Sequence, residues 1–451
     1  MRKRISAFFS VLAAIVLLTV PASAASSGST LKIICADAGQ VIFTPPGSTQ
    51  YAYRYGPAIL IDGDRIDIWA SAPPLVSNGV RYGNDSIEYI RSTDGGKTWT
   101  EWKTVLYPTL NSEDQWSTCD PGAFKYGDYY YVGYTGSPEF RTNPDKEKQV
   151  NNLFIARAKN PEGPYEKWNG NGWGGDPYAI TRYSGDGVGC SMPSFTVKGD
   201  TLYMYYVDQT HPDQDWNSEG NISVSTFSLK DPNWPGNELS NKMCENKPEE
   251  VRYCPDIDKF IGFQLKGGWD YDSYVEIYES TDGVNFTKTS SFRNNFPHYA
   301  HNIGISGNNL GQLDLSIQNY IGTAYTPTGV EAWWGHWHTQ LIPLYIREEQ
   351  PSSTTPSQPS GSTDSSSQKP TTSSVGSTDG ESSETEVSEP QNSNIESTVS
   401  DDKDKDKEVN NKTEQQEETS YLWLYIVIGA VVVLAGAGTA VYFLVIKKKH
   451  V

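Results

Sequence analysis

"CDPGAFKYGDYYYVGY", Cys119 to Tyr134, passes from an acid and a proline through a Gly-Asp pair into alternating tyrosines. Three other segments superpose on it without gaps: "YGPAILIDGDRIDIW" from Tyr55, "SMPSFTVKGDTLYMYY" from Ser191 and "AHNIGISGNNLGQLDL" from Ala300. In each, a Gly followed by Asp or Asn (Gly63-Asp64, Gly127-Asp128, Gly199-Asp200, Gly307-Asn308) stands six residues after a slot held by Pro57, Pro121, Pro193 or His301. Such pairs are hairpin-turn chemistry, because the turn needs a positive φ that Gly and Asn tolerate. "PEEVRYCPDIDKFIGF" supplies a fifth copy if Pro255-Asp256 replaces Gly-Asp, which puts Glu249 in the slot.

The slot then recurs at residues 57, 121, 193, 249 and 301, intervals of 64, 72, 56 and 52. Each interval suits one four-stranded antiparallel sheet, so the expected fold is all-β, a five-bladed β-propeller. Short alternating apolar runs and the near absence of helical period agree with this. A β-sandwich is the competing architecture, and it leaves the even recurrence unexplained. In a ring of blades the opening "STLKIICADAGQVIF" is expected to pair with the last blade, where "HTQLIPLYI" also falls.

The propeller is expected over residues 27–347, as the outward-facing ectodomain of a longer organisation. Residues 1–24 have a basic start, an apolar run and Ala22-Ser23-Ala24, the pattern of a cleaved signal peptide. Residues 348–420 are Ser, Thr, Pro, Gln and Glu, too polar to offset the entropy of ordering, and read as a disordered stalk. Residues 421–446 are almost unbroken apolar sequence, long enough for a transmembrane helix, and Lys447, Lys448 and Lys449 in the 447–451 tail belong on the cytoplasmic side. The expectation is a single-pass protein of the cell membrane, bacterial, with the propeller extracellular. The net charge of −19 argues against a nucleic-acid partner.

Five cysteines, Cys35, Cys119, Cys190, Cys244 and Cys254, are an odd number for an exported chain. Cys244 and Cys254 flank a short loop and could pair; the sequence alone does not choose the connectivity.

"STDGGKTW", Ser92 to Trp99, and the looser "STDGVNFT", Ser280 to Thr287, repeat a second element. The first resembles the Asp-box of sialidase-like propellers, which implies that Asp94 and Thr98 bond across an outer turn while Trp99 packs between sheets. That role is structural and lies away from the axis.

"DPGAFKYGDYYYVGYTGS" is similar to the first-blade segment of glycoside hydrolase family 43 and its five-bladed relatives. "MPSFTVKGDTLYMYY" resembles their second blade, and "NPEGPYEKW" a common outer turn of theirs. The resemblance covers most of Leu31 to Arg347. It implies a carbohydrate substrate and hydrolysis of a glycosidic bond by paired carboxyls, one protonated and one ionised. Position transfers the base to Asp120 and the acid to Glu249 or Glu250, of which strand alternation turns only one inward. The family uses a third acid, and the equivalent slots here offer none, with Gly56, Met192 and Ala300 preceding Pro57, Pro193 and His301. The alternative is therefore a carbohydrate-binding lectin or adhesin without turnover.

His301 resembles the central histidine that in some members helps hold Ca2+, directly or through water. A substrate hydrogen bond or a core role fits it equally. Arg54 and Arg252, beside inner-strand starts, are expected either to grip a carboxylated sugar or to pair with nearby acids. With 13 Trp and 28 Tyr, "GGWDYD" (Gly267 to Asp272) and "EAWWGHWH" (Glu331 to His338) would suit a sugar-stacking rim. "DQTHPDQDW", Asp208 to Trp216, would be a linker or a loop lending an acid.

Overall fold

A computed structural model of the chain describes residues 29–47, 52–138, 140–143, 146–182, 188–210, 220–328 and 335–349. The expected signal peptide, membrane helix and basic tail lie outside these residues, as does the stalk except for Glu348 and Glu349, which belong to the strand His338–Glu349 and not to a stalk. His211, Asp213 and Asp215 also lie outside them, as do residues 331–334 of the second aromatic segment. Among the described residues no helix is long and apolar enough to cross a membrane.

The protein is all-β, and its strand pairings form five successive four-stranded antiparallel units. The first comprises Tyr55–Asp62, Arg65–Ala72, Ser86–Ser92 and Lys103–Leu106. The second comprises Ser117–Tyr126, Tyr129–Ser137, Asn152–Ala158 and Glu166–Lys167. The third runs through Gly189–Lys198, Thr201–Gln209, Asn221–Ser228 and Glu238–Met243, and the fourth through Glu250–Cys254, Lys259–Lys266, Tyr274–Ser280 and Thr287–Phe292. The fifth is built of Ala300–Gly307, Tyr320–Tyr325 and His338–Glu349, and its fourth place is taken by Thr30–Cys35 from the other end of the domain.

Both faces of each unit are covered, which explains why an inner strand such as Tyr55–Asp62 is buried at every position but its last. Strand alternation splits neighbouring residues between two cores: Ala123 packs with Leu60 and Trp69 of the first unit, while Phe124 packs with Phe195 and Val197 of the third. Val251 and Tyr278 meet Tyr205 and Val224 of the third unit, and Ile261 and Phe263 meet Ile303 and Ile305 of the fifth. Ile59 and Ile68 of the first unit then pack on Leu341 of the fifth, so the cores join the units in a closed cycle. A short parallel pairing of Ser306 and Gly307 with Ile59 and Leu60 reinforces that last seam. Each fully buried Phe or Ile contributes about 2 kcal/mol.

The hairpins Asp62↔Arg65, Tyr126↔Tyr129 and Lys198↔Thr201 enclose Gly63-Asp64, Gly127-Asp128 and Gly199-Asp200 as two-residue turns. Positive φ falls on the glycine alone, 62°, 58° and 63°, as a II′ turn requires. The other two repeats differ from the sequence alignment. The fourth closes Cys254 onto Lys259 around the longer turn Pro255 to Asp258, and in the fifth Gly307 opens a connection that returns only at Tyr320.

All five cysteines are buried free thiols, so the Cys244–Cys254 pairing is not formed. Cys244 belongs to the core between the third and fourth units and Cys254 to the core between the fourth and fifth, so the sheet of the fourth unit separates them.

Candidate functional site

The site is built from one backbone irregularity, used four times. Near the start of four inner strands the antiparallel register slips, between Tyr55 and Ala58, opposite Gly133 and Thr135, between Ser191 and Ser194, and between His301 and Ile303. The residues carrying the positive φ are Gly56 (57°), Asp120 (48°), Met192 (57°) and Asn302 (56°). Bulges of this kind re-aim side chains. In the fifth unit Asn302 is thus the counterpart of Asp120, and the slot falls on Ile303 and not, as the sequence alignment had it, on His301.

In the fourth unit the strand is regular and Glu250 pairs with Phe263. Its place follows from contacts between units. A Cβ at Gly122 would collide with the Pro193 carbonyl, and one at Gly304 with the Pro57 carbonyl. Ser194, the counterpart of Gly122, instead accepts the Val251 N–H at 3.2 Å. Val251 therefore stands where Pro57 and Pro193 stand, and Glu250 stands with Gly56 and Met192.

Asp120 lies among these groups. Its N–H donates to Ser71 Oγ of the first unit (2.7 Å), and Asn302 Nδ2 of the fifth reaches its Oδ1 (3.4 Å). The same Asn302 nitrogen lies 3.9 Å from Met192 Sδ of the third unit. Thr135 Oγ1 accepts the Met192 N–H (2.9 Å) and its hydroxyl bonds Asp120. Groups of the first, second, third and fifth units thus meet around Asp120, a half-buried residue near the start of its strand. Burial lifts its pKa to about 6, against the pull of Thr135 and Cys119, and the negative field of Asp85 adds to the rise.

Asp85 is a residue that the sequence reading missed. It is buried, and its carboxylate accepts Tyr53 Oη (2.5 Å), Ser117 Oγ (2.8 Å) and Asn84 Nδ2 (3.2 Å). Ser117 continues through Cys119 Sγ to Asp120. Nothing in the repeat marks Asp85, because it precedes a third strand and not an inner one.

The two adjacent glutamates diverge, as alternation requires. Glu249 Oε1 takes the backbone N–H of Leu265 (2.8 Å) in the neighbouring strand. Glu250 Oε2 lies 2.9 Å from Arg252 Nη2 and accepts Ser194 Oγ at 3.1 Å. Burial pushes the Glu250 carboxyl up and Arg252 holds it down. Arg252 is itself 5% exposed, and it also donates to the Ile305 carbonyl and to Ser194 Oγ (2.7 Å). Arg54 pairs with Glu88 at 2.5 Å, and its guanidinium lies 4.5 Å from the Phe43 ring and 5.6 Å from the Trp102 ring. Both guanidinium groups are therefore engaged inside the protein.

His301 stands in an aromatic box, with ring centroids 4.3 Å from Trp269, 4.4 Å from Trp337 and 5.4 Å from Tyr55. Desolvation lowers its pKa to about 3, so it is neutral in the working range. The two aromatic segments singled out in the sequence converge here, Trp269 lying 5.1 Å from Trp337. Calcium takes six to eight oxygen ligands, and this aromatic surround does not fit it. Among the described residues no group of three or more His, Cys, Asp or Glu is placed to hold a metal ion.

No protein-family model matches the chain, and no curated protein matches it. Solved structures similar to it include the α-L-arabinofuranosidase of Podospora anserina in complex with cellotriose, at TM-score 0.44 and 12% identity, covering 71% of this chain and 98% of that one. A family 117 glycoside hydrolase of the marine bacterium Zobellia galactanivorans is similar at TM-score 0.45 and 14% identity, over 71% and 91% of the two chains. A thermostable family-43 glycoside hydrolase is similar at TM-score 0.45 and 12% identity, over 68% and 96%.

Proposed function

We propose that the five units are the blades of a five-bladed β-propeller that hydrolyses a glycosidic bond in an extracellular glycan, with Asp120 as the reacting carboxyl. The observation that carries this reading is the convergence of four units on a half-buried Asp120 whose pKa is lifted to about 6. A carboxyl with that pKa exchanges protons near neutrality, the property general acid–base chemistry needs. Above it Asp120 is ionised and takes a proton from water, and Glu250 is the second carboxyl. Trp269 and His301, partly exposed over the buried Tyr55 and Trp337, supply the aromatic and neutral polar surface that a sugar ring contacts. We place the domain outside the cell, held by the apolar segment at residues 421–446.

A second reading is glycan binding without turnover. The bulge positions equivalent to Asp120 favour it, because they hold Gly56, Met192 and Asn302 and so supply no third acid. Incubating the full chain and its Asp120→Asn variant with aryl glycosides and a panel of polysaccharides tests both. Release of reducing sugar by the wild type alone supports hydrolysis. Glycan retention with no release supports the second reading, and equal release by both proteins removes Asp120 from the reaction.

A further inference from the structure

The second unit carries a groove of about 470 Å³ on its outer side, lined by Trp168, Asn169, Asn171, Tyr178 and Ile180, with Pro235 from the third unit. Its lining includes no Asp, Glu, Lys, Arg or His. Tyr178 is 46% exposed yet held in place. Its N–H donates to the Trp168 carbonyl (2.8 Å), and Arg182 lies 4.0 Å from its ring centroid while bonding both carboxylate oxygens of Glu113 at 2.7 and 2.8 Å. Gly170, at φ +91°, lets the ring approach the backbone, since a Cβ there would stand 3.2 Å from Tyr178 Cγ. The Arg182–Glu113 pair cancels its own charge beside the groove and keeps the aromatic face fixed.

Register places this groove at the same end of the sheet as Asp120. Cys119 pairs with Thr135, Thr135 with Leu153, and Leu153 exchanges backbone hydrogen bonds with Ile180 and Thr181. Ile180 of the lining thus lies level with the residue before Asp120, three strand spacings out, or about 14 Å. A neutral polymer leaving the axial site along this end of the second unit meets the groove next.

The geometry points to an outer subsite at Tyr178 for a neutral oligosaccharide chain whose reacting end lies at Asp120. This rests on the glycan reading of the axial site. A rigid exposed aromatic face beside amide side chains suits the apolar faces and hydroxyls of sugar rings, and an uncharged lining offers a uronate polymer no counter-charge.

The test measures dissociation constants of the full chain, in an Asp120→Asn background to prevent turnover. The probes are xylan, mannan and β-glucan oligosaccharides from two sugars to polymer, with polygalacturonate as the charged counterpart. Tyr178→Ala is expected to weaken long neutral chains by roughly three- to tenfold while leaving two- and three-sugar probes unchanged. Tyr178→Phe is expected to bind as the parent does. Should Tyr178→Ala lose its thermal transition, Asn171→Ala replaces it with the same expected direction. Long-chain binding that ignores both Tyr178 and Asn171, with short probes still bound, overturns the outer subsite alone. Tighter binding of polygalacturonate than of every neutral chain also overturns it. Failure of every probe, short and long, overturns the axial reading and this one together.

Discussion

The amide of Asn302 reaches the carboxylate of Asp120 across 3.4 Å, although 182 residues separate them in the chain. Both are left-handed residues at the bulge of an inner strand. Left-handed backbone is tolerated by Gly, Asn and Asp and disfavoured for other side chains. That preference by itself accounts for Gly56, Asp120 and Asn302. Met192, in the same conformation, shows that the position does not exclude a larger residue. The conformation explains why an Asp is accepted at residue 120; it does not explain why Asn302 of the fifth unit and Thr135 of its own both turn polar groups to that carboxyl.

Titration of Asp120 should be visible in stability. Its pKa is about 6 in the folded protein, above its ordinary value of 3.8. The native state then holds a proton that the unfolded chain releases, so this contribution is fully present below about pH 4 and is lost as pH rises through 6. Asparagine does not titrate. Asp120→Asn is expected to match the wild type at pH 4 and to exceed it by about 1 to 3 kcal/mol at pH 8, the upper figure being two pKa units undiscounted for partial exposure. Urea unfolding at the two pH values checks this, and a stability difference that does not change with pH would contradict it.

Glu250 and Arg252 are a buried pair, and removing one member strands the other. Arg252→Ala should cost roughly 3 to 5 kcal/mol. Glu250→Leu combined with Arg252→Met should cost less than the sum of the single changes, because neither charge is then left behind. A double-mutant cycle by chemical unfolding reads the coupling. Additive single costs would mean that the 2.9 Å contact, made within one strand of the fourth unit, couples the two side chains weakly.

Much of the architecture is legible in the sequence because the inner hairpins repeat its turn chemistry. Pro with Gly-Asp beginning six residues on locates the first three units, and those turns form as spaced. The fifth repeat misleads by two residues. "AHNIGISGNN" matches the others only if Gly307-Asn308 is taken as a tight turn, which sets His301 in the slot. The actual connection runs on to Tyr320, and the bulge falls on Asn302. In the fourth repeat the longer turn similarly shifts the slot from Glu249 to Val251 and sets Glu250 at the position of Asp120. Asp85 is illegible for a different reason: its importance arises from a contact between units, through Ser117 and Tyr53, and no local pattern announces such a contact. The aromatic box of His301 was half legible, since Trp269 and Trp337 lay in segments rich in aromatics whose meeting point only the fold determines.

The thiols give a simple check on the cores. Burial pushes Cys35, Cys244 and Cys254 up to about 12 and raises Cys119 and Cys190 as well, so thiolate is scarce at neutral pH. The native protein should be inert to a thiol-reactive disulfide reagent at pH 8, and the chain unfolded without reductant should react at all five cysteines. Three reactive thiols after unfolding would reveal a disulfide. Reductant should leave the melting temperature unchanged.

Two glycines of the opening segment serve different ends, and substitution should separate them. Gly127 sits in the Gly-Asp turn at φ 58° with nothing within 4 Å of an added Cβ, so Gly127→Ala meets only backbone strain, about 1 to 2 kcal/mol. Gly122 has an ordinary negative φ, but an added Cβ would strike the Pro193 carbonyl of the next unit and come within 2.9 Å of Phe195 Cδ2. A backbone carbonyl in the middle of a packed strand has little room to yield, so Gly122→Ala must part the second and third units. Overpacking of this kind costs typically 1 to 3 kcal/mol and can cost more, and it is expected to exceed the loss at Gly127. The displacement would also move Met192, whose N–H is tied to Thr135 and through it to Asp120. Gly122→Ala is therefore expected to lower both the unfolding midpoint and any glycan affinity, while Gly127→Ala lowers the midpoint alone. Unfolding curves and glycan titrations on the same two preparations decide it, and a larger loss at Gly127 would mean that the seam between the units is looser than the Pro193 contact requires.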